Sequence, residues 1–101
     1  MSLVTERIED TVLYLELNGR IDSSNADQAE EQIKAIKGAH PNLPSVLDAE
    51  NLEYLSSAGL RVLLAAQKVM NKQGEMIIKN VNETINEIFE VTGFIDILTI
   101  E

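Results

Sequence analysis

The apolar residues of this 101-residue chain switch period repeatedly, and that switching constrains the fold more than any other feature. Between Leu13 and Leu17 they alternate with Tyr14 and Glu16, the period-2 pattern of a half-buried strand. Leu3 to Ile8 is a weaker strand candidate, and Glu9 and Asp10 predict a hairpin turn between the two. After Gly19 the spacing becomes helical. Ala26, Ala29, Ile33 and Ile36 share one side, while Asp27, Glu30, Glu31 and Lys34 occupy the other. Ser23, Ser24 or Asn25 is expected to cap this helix, Glu30 and Lys34 to pair across one turn, and Gly38 to end it. A polar loop, His40 to Pro44, leads into a short buried strand, Ser45 to Ala49, expected to finish near Asp48. A mostly buried helix follows from about Ala58 to Gln73, carried by Leu60, Leu63, Leu64 and Met70 and stopped by Gly74. Met76 to Val81 reads as a strand. Ile85, Ile88 and Phe89 make one face of a third helix that ends at Gly93, and Ile95 to Ile100 supplies a last strand or helical turn.

Strands that alternate with helices over connections of a few residues imply an α/β domain with a mixed, mostly parallel sheet. The N-terminal hairpin contributes its antiparallel edge, helices pack against the sheet, and residues 1–101 form one domain. Seventeen acidic residues against eight basic ones give a net charge of −9. That sign opposes a phosphate backbone and an anionic membrane surface, so nucleic acid is not an expected partner. The longest apolar run, Val62 to Ala66, is five residues, far short of the roughly 20 that span a bilayer, so no membrane insertion is expected. There is no basic segment followed by an apolar stretch at the start, and there are no cysteines. A cytoplasmic setting without disulfides or sulfur-ligated zinc is expected.

In open α/β sheets, sites gather where strands end and helices begin. Three segments fit: Gly19 to Ala26, Leu47 to Glu50, and Tyr54 to Arg61. The last is the most informative, because Ser56 and Ser57 stand at the start of a buried helix, followed by small Ala58 and Gly59 that permit close approach of another surface. One serine can simply cap the helix. A phosphoryl group on Ser57 would add about −1.5 to −2 charges at a helix N-terminus, a sensible electrostatic switch. Asp22 and Asp48 are either turn and cap residues or a carboxylate pair near that hydroxyl. They do not define a metal site, because nothing fixes a third oxygen ligand, and no cofactor is expected. Acyl transfer is excluded on other grounds: the sole histidine, His40, lies in a proline-bounded loop, and the glycine expected two residues before an elbow nucleophile is absent. The five glycines are scattered singly, so no phosphate-cradling loop exists.

Val46-Leu47-Asp48, a spacer, and Tyr54-Leu55-Ser56-Ser57-Ala58-Gly59-Leu60-Arg61-Val62-Leu63-Leu64 closely resemble the STAS domain, the module of bacterial anti-sigma factor antagonists. Gly19-Arg20-Ile21-Asp22 with Asn25-Ala26 resembles that family's first signature, so the resemblance covers nearly the whole chain. It implies a protein-binding switch with no catalysis of its own. The unphosphorylated form would bind an anti-sigma factor that is also a serine kinase, free the sigma factor, and be released by phosphorylation. A serine phosphatase would restore the active form. The acceptor, two residues before the motif glycine, would be Ser57. The family commonly has Asp immediately before this serine, whereas this chain has Ser56 there, which makes Ser56 a second candidate. The implied partner surface comprises Asp22, Ser24, Asn25, Asp48, Ser56, Ala58, Gly59 and Arg61, with Asp22, Asp48, Glu50 and Glu53 setting a negative potential that phosphorylation would deepen. Two other readings use the same fold class. One is a STAS-like accessory subunit of a transporter or signalling assembly without reversible phosphorylation, and the other a phospho-aspartate receiver or small enzyme built on Asp48 with Lys79.

Overall fold

Alternating Leu13, Leu15 and Leu17 form the middle of a long central strand in the computed structural model, which describes residues 3–70 and 76–101. The elements run β1 (Val4–Glu9), β2 (Val12–Ile21), α1 (Ala26–Ala39), β3 (Ser45–Leu55), α2 (Ser57–Met70), β4 (Met76–Lys79), α3 (Glu83–Thr92) and a 3-10 turn, Phe94–Asp96. The sheet order is β1-β2-β3-β4, with β1 antiparallel to β2 and the other neighbours parallel. This is the α/β architecture expected from the sequence. The hairpin turns at Asp10 and Thr11, both at positive φ, as a two-residue turn matched to strand twist requires. Ile100 adds a one-residue parallel bridge beside Ile78, so the C-terminal segment uses both expected forms, a helical turn and a fragment of strand.

One apolar cluster unites the inward residues of the strands with Ala26, Ala29 and Ile33 of α1, Leu60, Leu63 and Ala66 of α2, and Ile85 and Phe89 of α3. The other sheet face carries a polar layer. Arg7 lies over the Tyr14 ring at 4.3 Å, and Arg20 over Tyr54 at 4.5 Å. Two buried polar side chains anchor irregular segments to this frame. The Lys37 ammonium donates to the Leu43 carbonyl and the Ser45 hydroxyl, and burial lowers its pKa. Gln67 donates to the Ile97 carbonyl at 2.7 Å and accepts from Thr99 N–H, holding the C-terminal segment against α2.

Three boundaries differ from expectation. α1 runs through Gly38 and ends at Ala39, because Lys37 binds the following loop and His40 N–H reaches back to the Lys37 carbonyl. β4 stops at Lys79, since Asn80 takes a left-handed backbone. The largest difference is β3, which extends to Leu55 and does not finish near Asp48. Between the Glu16/Asp48 and Ile21/Leu55 pairs, β2 advances five residues and β3 seven, through two register shifts. These bulges break the alternation and turn Glu50, Asn51 and Glu53 outward, so the polar run passes for a loop in the sequence. Gly93 ends α3 with φ of 81°, as predicted. The proposed stop of α2 at Gly74 lies outside the described residues.

Gly59 marks a close helix–sheet approach. A Cβ there would lie 2.8 Å from the Ile21 carbonyl oxygen and 2.9 Å from Leu55 Cδ2. Alanine would favour the helix by about 1 kcal/mol on propensity alone, but the backbone oxygen of β2 cannot yield without moving the strand. The steric conflict therefore outweighs the gain. Gly59→Ala is expected to destabilise the domain by about 1–3 kcal/mol in urea unfolding, a loss that the overpacking of a close helix–strand contact would produce.

Candidate functional site

The β2–α1 turn is organised by its own side chains. Asp22 Oδ1 accepts from both the N–H and the hydroxyl of Ser24, at 2.9 and 2.5 Å. Asp22 N–H donates to Asn25 Oδ1, and Asn25 Nδ2 donates to the Arg20 carbonyl. Asn25 occupies the N-cap position of α1, yet its side chain makes no cap bond to the helix, because it is committed to the turn behind it. The Ser24 hydroxyl and then its N–H hold the Asp22 carboxyl below its ordinary pKa.

The β3–α2 corner lies directly beside this turn. Ile21 pairs with Leu55, and Ser56 N–H donates to the Ile21 carbonyl at 3.0 Å. Ser56 Oγ then accepts from Gly59 N–H at 3.3 Å, the capping geometry in which a serine hydroxyl satisfies a free amide of the first helical turn. Ser57 is the first residue of α2 and is exposed. The two serines thus differ in their surroundings: one hydroxyl is engaged in the cap and the other faces outward. Ala58 is half-buried, and exposed Arg61 follows Ser57 by one helical turn. Gly59, expected to let a second surface approach, is buried against β2 of the same chain.

Two grooves flank this corner. One, of about 310 Å³, is bounded by Ala26, Asp27 and Glu30 of α1 and by Ala58, Arg61 and Ala65 of α2. The other, of about 420 Å³, lies between Tyr54, Ser57 and Leu60 on one side and Glu87, Ile88 and Val91 of α3 on the other. The α3 residues were not among those singled out from the sequence. Val91 is the one that pattern alone could have flagged, since it is apolar but falls off the Ile85–Phe89 face.

Asp48 stands apart from this corner, which removes the carboxylate-pair alternative for Asp22 and Asp48, leaves Asp22 as a turn residue, and corrects the strand-end position given to Asp48. It lies within β3, seven residues before Leu55, and its β2 partner Glu16 is five residues before Ile21, roughly 17 Å by strand rise. Its buried carboxylate accepts from Glu50 N–H and from Asn80 Nδ2, both at 3.0 Å, and lies 3.7 Å from the Arg7 guanidinium. Asp48 holds the first bulge of β3 and the exit of β4. The negative groups lining the grooves beside Ser57 are Asp27, Glu30 and Glu87, in place of the expected Asp48, Glu50 and Glu53. Among the described residues, no group of three or more histidines or carboxylates could hold a metal ion, and no helix is long and apolar enough to cross a membrane.

The Asp22 turn makes a measurable prediction. Because its carboxyl titrates lower in the folded chain than in the unfolded one, its stabilising contribution is present above the ordinary value of 3.8 and is lost as pH falls through the folded value. Ser24→Ala removes the larger cause, so NMR titration should find the Asp22 pKa moved up toward 3.8. An unchanged titration would mean that the Ser24 hydroxyl does not hold the turn.

Comparison with known proteins agrees with this geometry. The family model of the STAS domain matches residues 2–101. The chain is 38% identical to a Bordetella bronchiseptica protein assigned as the anti-sigma factor antagonist BtrV, over 99% of this chain and 85% of that protein. It is 32% identical to the anti-sigma F factor antagonist of Paenibacillus polymyxa, over 88% of this chain and 77% of the relative. The crystal structure of an anti-sigma factor antagonist from Mycobacterium paratuberculosis superposes with a TM-score of 0.83 at 22% identity, covering 96% of this chain and 82% of that one. A sheet of this order, a Ser56-capped α2 packed against β2 through Gly59, and a match along nearly the entire sequence together make this chain a member of the STAS domain family.

Proposed function

We propose that this chain is an anti-sigma factor antagonist that acts by binding and performs no catalysis. In its unphosphorylated form it engages, in the cytoplasm, an anti-sigma factor that is also a serine kinase, and so releases a sigma factor. Phosphorylation of Ser57 ends the complex, and a serine phosphatase restores it. The observation that carries this reading is the division of labour at the start of α2: Ser56 Oγ is engaged with Gly59 N–H, whereas Ser57 is exposed between two grooves. The antagonist names of the relatives from Bordetella and Paenibacillus support it. Asp22, Ser24 and Asn25 in the adjoining turn, together with Ala58 and Arg61, belong to the same partner surface. Gly59 and Asp48 serve it from inside, one by setting the helix against β2 and the other by fixing the course of β3.

The electrostatics suit reversible control. A phosphoryl group on the first residue of α2 meets free N–H groups and the positive end of the helix dipole, with the Arg61 guanidinium one turn further on, so the fold tolerates it. For an approaching partner the change is large, because about −1.5 to −2 charges join a surface where Asp27, Glu30 and Glu87 already stand. With ATP and the cognate kinase, mass spectrometry should locate one added phosphoryl group on Ser57, and Ser57→Ala should abolish it. Ser57→Asp, which imitates part of the charge, should weaken the complex tenfold or more by calorimetry. Labelling of Ser57→Ala at the wild-type rate would move the assignment away from Ser57, with Ser56 the next position to test.

A further inference from the structure

The groove between the start of α2 and α3 leaves three apolar side chains partly or wholly uncovered, half-buried Tyr54 and Ile88 and exposed Val91, over buried Leu55 and Leu60. Leu55 and Leu60 lie at its base, Tyr54 and Ile88 form walls, and Val91 stands at its lip with 87% of its surface exposed. Glu87 is the one charged side chain in its lining, and the Arg20 guanidinium lies over the outer wall, 4.5 Å from the Tyr54 ring. On α3, Glu83 and Glu90 stand about one turn to either side of Glu87, so this edge of the groove is acidic. Ser56 and Ser57 line the same groove, so its mouth is continuous with the serine corner.

We propose that this groove seats an apolar side chain carried on a basic segment of the partner that engages Ser57. The inference rests on the reading of Ser57 as the switch, and adds to it the chemistry of the partner. An apolar anchor would cover Tyr54, Ile88 and Val91, whose apolar surface water serves poorly. Flanking lysine or arginine residues would meet Glu87 and its acidic neighbours, whereas a neutral or acidic segment would meet repulsion or no attraction. The lining of the groove toward α1 is mixed, with Arg61 beside Asp27 and Glu30, whereas Glu87 is the one charged residue lining the α3 groove. A phosphoryl group on Ser57 would stand at the mouth of the α3 groove and obstruct entry of the anchor, joining the charge switch to the apolar contact.

The test measures binding of the purified anti-sigma factor kinase from the same host to four forms of the full chain: wild type, Ser57→Asp, Val91→Ser and Glu87→Lys. Val91 and Glu87 are exposed, so both variants should melt like the wild type. Val91→Ser should weaken binding about fivefold, and Glu87→Lys about tenfold at low salt, with the second loss shrinking as ionic strength rises. If Ser57→Asp weakens binding while both groove variants stay within twofold of wild type, the groove inference is overturned and the switch reading stands. If wild type and Ser57→Asp bind equally, or neither binds, the switch reading fails and the groove inference with it. If sedimentation shows a wild-type dimer that Val91→Ser disrupts, the groove's occupant is a second copy of this chain, which also overturns the inference.

Discussion

The hydrogen bond from Ser56 N–H to the Ile21 carbonyl joins the two places where the chain leaves the sheet for a helix. On one side Ile21 leads into the Asp22–Asn25 turn and α1, and on the other Ser56 leads into α2. Gly59 packs on the same carbonyl, so one backbone oxygen aligns a strand end, a helix cap and a helix face. The two turns that carry the candidate partner residues are therefore parts of one rigid corner. Neither can shift without disturbing the pairing of β2 with β3.

Away from that corner, buried polar groups secure what the apolar core cannot specify. Hydrophobic packing is non-directional and does not by itself select one register. Asp48 ties Arg7 of β1, the bulge at Glu50 and Asn80 after β4 into one layer on the polar face of the sheet. Lys37 and Gln67 do the same for the His40–Pro44 loop and the C-terminal segment. Hydrogen bonds to charged groups each contribute about 1.5–3 kcal/mol, and a buried charge left without its partner costs more than the bond itself was worth. Among the described residues no buried side-chain nitrogen or oxygen lacks a partner.

Much of this was legible in the sequence, for identifiable reasons. The hairpin, the three helices and their alternation with strands follow from apolar period, and Gly93 ends α3 as its lack of a side chain suggests. The serine pair at a strand-to-helix corner was legible too, because short polar residues before an apolar helix have few other uses. Periodicity failed at β3, where two bulges shift the apolar positions out of phase and a strand imitates a loop. That misphasing carried Asp48 to a strand end and left open a pairing with Asp22 that the structure does not make. The groove at α3 was hidden for a different reason: it depends on helix-to-sheet packing between Tyr54 and Val91, which no local pattern encodes. Likewise, Lys37 follows Ile33 by one turn on the buried face of α1, and the loop partners that let a charged residue lie there are set by tertiary structure, which no helical projection shows.

The two bulges also set how the chain can vary. Side chains alternate faces along a strand, so adding or removing one residue between Asp48 and Ser56 would turn every later position to the opposite side and carry the serine pair away from Ile21. Exposed Glu50, Asn51 and Glu53 face no such restriction on identity. The stretch from Asp48 to Ser57 therefore behaves as a ruler, fixed in the number of residues it contains and permissive in what several of them are.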